Sequence, residues 1–358
     1  MNQEWLSDGQ RVLDQVREKS PLVHCVTNYV TVESCANILL AAGASPIMAD
    51  DAAEVEEITS LCGALVLNLG TLSSRTIPAM FRAGKRAREL GRPIILDPTG
   101  AGASRLRTET ACSLIDTFRP SIIRGNVSEM KALMAEFRGT DKTGTPFPAD
   151  TANPVPGTSR AGEAATAAKT TDAAEPVLIT AAGAAKPSTG SDAVAKPTDE
   201  AEPAILPGEK NAENRRKKRG VDAQSADLVT EANLEESAWA FREFARQFQT
   251  VVAVSGAIDL ITDGERTCAV SGGDPIMTRV TGCGCMLSAL TGACAAVNDD
   301  PFIAALAAFA VMNLCGKNAA AQAKTAAGGP MMFRQLLIDN IAALETASLS
   351  PNAVIRPL

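Results

Sequence analysis

The sequence predicts an α/β protein of three layers, with a central sheet of mostly parallel strands and helices on both of its faces. Three observations predict it. Between Leu22 and Arg138, short β-branched runs alternate with longer helical patterns, the mark of successive β-α units. The same alternation resumes after about Arg219 and closes on apolar helices. Each apolar run ends in a polar or glycine-rich turn, where open α/β sheets gather their ligands.

The elements follow in chain order. Trp5, Val12, Leu13 and Val16 recur at helical spacing and predict an amphipathic first helix. The first twenty residues carry acidic groups and no continuous apolar stretch, so neither a secretory nor a transit signal is expected. Strands are predicted at Leu22–Val26, Ser45–Met48, Ala64–Leu67, Pro93–Leu96 and Ser121–Ile123, with a helix between Ser73 and Leu90. Near Gly139 the pattern stops. From there to about Arg219, Ala, Thr, Pro, Gly and charged residues dominate, with too little Leu, Ile or aromatic content to offset an ordering cost of about 1 to 2 kcal/mol per residue. Residues 140–219 therefore read as a disordered low-complexity insertion. Within it, Pro176–Thr180 is a short apolar piece and Arg215–Arg219 a basic cluster that suits a solvated linker end better than a localisation signal. Beyond it come a helix over Ala238–Phe248, strands at Val251–Ser255, Ile258–Thr262 and Thr267–Val270, and helices starting at Gly282, Pro301 and Met331. Residues 1–139 and 220–358 are thus two parts of one core.

Composition narrows the function. The chain has 358 residues, 46% of them hydrophobic and 21% charged, which supplies a large core and excludes global disorder. A net charge of -7 argues against a nucleic-acid partner and favours small molecules or proteins. Nine cysteines without a C-x-x-C pair suggest neither a disulfide framework nor a zinc site, and point to a reducing, cytoplasmic setting. The apolar run Phe302–Cys315 is shorter than the roughly 18 residues of a membrane span and predicts a buried helix, so no membrane partner is expected. His24 is the sole histidine, which removes His-dependent triads and multi-His metal sites; it is expected on the first strand as a structural residue.

Three segments carry chemistry. In Val280-Thr281-Gly282-Cys283-Gly284-Cys285, a glycine turn feeds directly into an apolar helix, whose free N–H groups can cradle phosphate charge; close helix packing is an equal alternative. Asp97-Pro98-Thr99-Gly100-Ala101-Gly102 places a carboxylate at the carboxyl end of a strand. Arg124-Gly125-Asn126-Val127-Ser128-Glu129 gathers a cation, an amide and a carboxylate beyond another strand. There Arg124 can neutralise nucleotide phosphate, while Asp97 and Glu129 can hold Mg²⁺, which takes a few carboxylates plus phosphate oxygens. The same residues also suit a helix cap, with Asn126 or Ser128 at the start and Glu129 behind it.

In this order the three segments resemble those of the hydroxyethylthiazole kinase family. Thr27-Asn28-Tyr29-Val30, Gly43 to Ala49, Leu67-Asn68-Leu69-Gly70-Thr71-Leu72 and Val252 to Gly256 extend the resemblance to nearly everything outside the insertion. The resemblance implies a ribokinase-like fold, residues 1–139 and 220–358 forming one kinase domain, and transfer of the γ-phosphoryl group of ATP to the primary alcohol of a small thiazole in thiamine salvage. It implies that Met48 and Gly282 line the thiazole pocket with Asn28 near the substrate. Arg124, Asn126 and Ser255 would meet ATP, Asp97 and Glu129 the metal, and the enzyme would be a trimer with its sites at subunit contacts.

Cys285 stands where related kinases carry a catalytic Asp. An unperturbed thiol is only roughly 3% ionised at neutral pH, although a helix N-terminus lowers that pKa. Glu33, Thr99 and Ser255 depart from the family's usual Asn, small apolar residue and Thr, and the insertion has no counterpart in the family pattern. Two alternatives share the fold: a kinase of pyrimidine, pyridoxal or sugar alcohols, and an ATP-dependent dehydratase of hydrated nicotinamide cofactors.

Overall fold

A computed structural model describes residues 2–140 and 229–358, and both stretches belong to one compact unit. Of the expected insertion 140–219, Thr140 closes a helix and the rest, with Pro176–Thr180 and Arg215–Arg219, lies outside the described residues.

From the first stretch come α1 (Asn2–Lys19), β1 (Leu22–Val26), α2 (Val32–Ala42), β2 (Ser45–Ile47), α3 (Val55–Leu61) and β3 (Ala64–Asn68). They are followed by α4 (Thr76–Glu89), β4 (Ile94–Asp97), α5 (Arg105–Phe118), β5 (Ile122–Asn126) and α6 (Val127–Thr140). The second stretch supplies α7 (Leu234–Phe248), β6 (Val251–Ser255), β7 (Asp259–Thr262) and β8 (Thr267–Ser271). It ends with α8 (Cys283–Ala295), α9 (Pro301–Thr325), α10 (Pro330–Ala342), α11 (Leu349–Asn352) and β9 (Val354–Pro357).

All strands join one sheet in the order β2-β1-β3-β4-β5-β6-β7-β8-β9. The pairings from β2 across to β6 are parallel, and those from β6 to β9 antiparallel. The β5–β6 pairing stitches the two stretches into one sheet, with Asn126 opposite Ser255.

Alternate residues of each strand feed opposite cores, as a period of two requires. On β3, Ala64 and Val66 join α1, α2, α8, α9 and α10 on one face, while Leu65 and Leu67 join α4, α5, α6 and α7 on the other. Because both faces are covered, β3 and β4 are buried along their whole length, which is why they read as continuous apolar runs. The predicted layers are therefore present, and the predicted strands lie within a few residues of the observed ones.

Three elements are additions, namely α3, the four-residue α11 and β9. The short polar helix α3 carries little apolar periodicity. The edge strand β9 pairs antiparallel with β8, and its Pro357 and exposed Arg356 hide an alternation of only four residues. Among the described residues α9 alone is long and apolar enough to cross a membrane. It packs instead against α1, α8 and α10, buried from Phe302 through Met312, with Asp300 capping its first turn by accepting from the N–H of Phe302.

Since β1 to β6 run parallel, their carboxyl ends share one edge of the sheet. Met48 follows β2, Asn28 follows β1, and Asn68, Asp97, Asn126 and Ser255 terminate β3, β4, β5 and β6.

Candidate active site

The centre of that edge is a network of buried polar groups. Asn68 and Asp97 are partners in register on β3 and β4, and Asn68 Nδ2 donates to Asp97 Oδ2 at 2.9 Å. The same carboxylate oxygen accepts from Ser288 Oγ of α8 at 2.6 Å, and Oδ1 accepts from Thr99 Oγ1 at 2.6 Å. Thr99, a departure from the family's small apolar residue, therefore holds Asp97 in place.

Arg124 on β5 sends Nη1 to within 3.6 Å of Asp97 Oδ2 and donates from Nη2 to Ser255 Oγ at 2.5 Å. The serine hydroxyl thus anchors the guanidinium. Arg124 Nε is buried without a hydrogen-bond partner among the described residues, an unused donor that a phosphate oxygen would satisfy. Gly284 lies beneath the guanidinium: a Cβ there would sit 2.7 Å from Arg124 Nη1.

Glu129 and Asn126 form a reciprocal cap at the start of α6. Glu129 Oε2 accepts from the Asn126 N–H at 2.8 Å, and Asn126 Oδ1 accepts from the Glu129 N–H at 2.9 Å. Glu129 Oε1 takes a further bond from the Gly100 N–H at 2.9 Å. The capping alternative is thereby realised. Burial, and then the negative charge of Asp97, push the Glu129 carboxyl up to about 7 against the pull of those N–H groups and Arg124. Two carboxyls close enough to repel, each with lone pairs to spare, suit a hard dication that takes its remaining ligands from phosphate and water.

The glycine turn meets this corner from the other side. Gly282 has φ +97 and caps the start of α8, where the first N–H groups have no intrahelical acceptor. Its Cα side faces Thr31, whose Cγ2 would be 2.9 Å from an added Cβ. Thr31 in turn donates from N and Oγ1 to Asn28 Oδ1, at 3.1 and 3.0 Å.

Cys285, half-buried in the first turn of α8, accepts at Sγ from Asn28 Nδ2 and from Asn68 Nδ2, both at 3.3 Å. Burial, followed by the charge of Asp97, raises its thiol above the ordinary value, with only partial relief from Thr31, Asn28 and Asn68. Burial thus favours the neutral thiol. Cys283 is pushed up to about 12, again chiefly by burial.

Met48 stands half-buried against the helical core that also holds Cys283 and Cys285. Glu33 lies away from the network, in the first turn of α2, where it accepts from Asn37 one turn on. His24 is on β1, buried between Thr59 Oγ1 and the Ala49 carbonyl, both at 2.9 Å, and burial lowers its pKa. Among the described residues no group of three or more His, Cys, Asp or Glu could hold a metal, so any metal here depends on ligands beyond the protein.

Residues distant in the chain have thus converged, Cys285 with Asp97 through one carboxamide, and Asp97 with Ser255 through one guanidinium. The model of the hydroxyethylthiazole kinase family matches residues 13–152 and 158–347. The chain belongs to the hydroxyethylthiazole kinase family. It is 36% identical over 351 residues to a hydroxyethylthiazole kinase of Desulfovibrio desulfuricans, covering 96% of this chain and 95% of that one. A relative of the same name from Clostridium acetobutylicum is 35% identical over 342 residues, covering 95% and 96%. The solved structure of a hydroxyethylthiazole kinase protein from Pyrococcus horikoshii superposes with a TM-score of 0.68 at 29% identity, covering 98% of both chains. The three-layer architecture is accordingly shared with a solved structure of that name, and family members are kinases.

Asn68, Ser288, Thr99 and Thr31 belong to the network but were not among the predicted site residues. Asn68 lies inside a motif that carries the resemblance, and its position at a strand's carboxyl end was the available signal. Ser288 follows Gly284 by one helical turn, a spacing that puts it on the same face of α8 as the glycine.

Proposed function

We propose that this protein transfers the γ-phosphoryl group of ATP to the primary alcohol of hydroxyethylthiazole, as the names of its relatives indicate, and that the transfer serves thiamine salvage. The observation that carries this reading is the single network joining Cys285 to Asp97 and Asp97 to Arg124 along the carboxyl edge of the sheet.

In this reading Arg124, Ser255 and Asn126 face the nucleotide, and Arg124 neutralises phosphate charge with its unpartnered Nε and remaining donors. The free N–H groups at the start of α8 lie where negative charge on the transferred phosphoryl develops. Asp97 and Glu129 would hold Mg²⁺, which would supply charge neutralisation at the phosphate oxygens. Met48, Gly282 and Asn28 border the thiazole.

The alcohol oxygen forms a bond to the γ-phosphorus while the bond from phosphorus to the bridging oxygen breaks, the electron pair of that bond leaves with ADP, and the alcohol proton passes to an oxygen of the transferred phosphoryl group. Cys285, a neutral thiol fixed by two carboxamides, orients the alcohol. Since phosphoryl transfer depends mainly on positioning and charge stabilisation, a strong base is not required.

The two described stretches act as one kinase domain, and residues 140–219 are an insertion outside its chemistry. A cytoplasmic setting suits nine unpaired cysteines. The assembly in this reading is a homotrimer, in which Tyr29 and Val30, 79% and 59% exposed immediately after Asn28, would lie at a subunit contact; light scattering measures the assembly.

The test is transfer of labelled phosphate from ATP to the thiazole alcohol, run beside pyrimidine, pyridoxal and sugar alcohols. Preferential labelling of the thiazole supports the reading. Labelling of another alcohol, or ATP hydrolysis that dehydrates a hydrated nicotinamide cofactor without labelling any acceptor, overturns it.

A further inference from the structure

We propose that Asn68 is a positioning residue for phosphoryl transfer, holding the Cys285 sulfur at a set place relative to Asp97. The inference rests on the kinase reading above and assigns a role to a residue outside the set of thiazole, nucleotide and metal contacts.

A carboxamide has two N–H donors and one oxygen with two lone pairs. In Asn68 all four are used. Nδ2 donates to Asp97 Oδ2 at 2.9 Å and to Cys285 Sγ at 3.3 Å, while Oδ1 accepts from the Gly70 N–H at 2.9 Å and from Asn28 Nδ2 at 3.0 Å. A flipped amide would turn its oxygen toward the Asp97 carboxylate and its NH₂ toward the Gly70 N–H, so the network admits one orientation. The side chain is 2% exposed and stands on β3 in register with Asp97, which leaves little room for another rotamer.

The neighbours are unequally dependent on it. Asp97 keeps Thr99 and Ser288, each at 2.6 Å, when Asn68 is removed. Cys285 loses one of its two amide donors directly, and the other, Asn28 Nδ2, loses its bond to Asn68 Oδ1 while Asn28 Oδ1 stays held by Thr31. Gly70 completes the arrangement: a Cβ there would meet Asn28 Nδ2 at 2.7 Å. The effect of Asn68 therefore runs through the sulfur.

The experiment combines Asn68→Ala, Asn68→Ser, Cys285→Ala and the two double variants. Steady-state transfer from ATP to the thiazole alcohol is measured for each. Alkylation of Cys285 by iodoacetamide is followed against pH by peptide mass spectrometry, without substrates. Loss of one positioning contact is expected to lower kcat by about 10- to 100-fold with KM for ATP within about threefold. In the Cys285→Ala background the same substitution should cost less than about twofold, since residues that act through one another are not additive. The alkylation profile should move to higher pH as the sulfur loses donors that favour its thiolate.

An equal loss of kcat in both backgrounds, or an unmoved alkylation profile, overturns the proposal. Asn68→Ser retains a small polar side chain and supplies the same comparisons if Asn68→Ala lacks a cooperative melt. If the unaltered protein phosphorylates no thiazole alcohol, the kinase reading fails by itself, and the alkylation profile still decides whether Asn68 governs the sulfur.

Discussion

Replacing Gly284 by Ala separates stability from catalysis. Gly284 is in the first turn of α8 with ordinary helical backbone, so Ala there improves helix propensity by about 0.8 to 1 kcal/mol. The new methyl, however, would sit 2.7 Å from Arg124 Nη1, 3.2 Å from Nη2 and 3.3 Å from Cζ. Contacts that close force the guanidinium aside by a few tenths of an ångström or more. Arg124 cannot move freely, because Nη2 is bonded to Ser255 at 2.5 Å and Nη1 faces Asp97. The shift weakens a charge-assisted bond worth about 1.5 to 3 kcal/mol, which more than offsets the helical gain at the site itself. If Arg124 meets ATP as proposed, its displacement costs on the order of 10²-fold in kcat/KM for ATP. The melting temperature should fall modestly, because the weakened bond outweighs the gain in helix propensity. Steady-state kinetics with varied ATP, together with a thermal melt, check this. A kcat/KM for ATP equal to that of the unaltered protein would refute the claim that Gly284 is small because Arg124 lies over it.

Three further outcomes are expected. Cys285→Ala should leave ATP binding intact by calorimetry and lower turnover, by up to about 10²- to 10⁴-fold if the thiol serves as a full base, whereas Cys285→Asp should stay active because the Asn28 and Asn68 amides would donate equally well to a carboxylate; unchanged turnover of the alanine variant removes the role of the thiol. Asp259, pushed from its ordinary 3.8 up to about 6, first by burial and against its bonds from Asn313 and the Gly256 N–H, favours the protonated form when folded. Its contribution to stability is thus full below 3.8 and lost as pH rises through about 6, a difference of about 3 kcal/mol, and Asp259→Asn should flatten the denaturant-measured stability across that window; an equal slope in both proteins counts against it. A chain lacking Thr140 to Asn214 should phosphorylate the acceptor as fast as the full-length protein, and loss of transfer in a folded shortened chain would show that the insertion takes part.

Legibility differed by residue for identifiable reasons. The strands around Val23, Val66 and Ile95 were readable because a sheet covered on both faces demands continuous apolar runs. Asp97, Arg124, Asn126 and Ser255 were readable because each falls at or near the carboxyl end of such a run. Asn68 occupies an equivalent place, but its partners lie 29 and 217 residues away, and a carboxamide after an apolar run resembles an ordinary turn residue. Ser288 meets Asp97 across 191 residues and, in sequence, is filler in an apolar helix. The protonation of Cys285 was open as well. A helix start and burial pull its pKa in opposite directions, and only the packed surroundings show that burial dominates.

Local periodicity is written in adjacent residues, so the sequence by itself determined the alternation of elements, the three layers and the edge on which polar groups gather. Which of those groups touch was decided by the tertiary structure alone. Strand order and the seating of α8 bring together atoms with no local relation, and the low-dielectric space between them sets which proton stays on which atom.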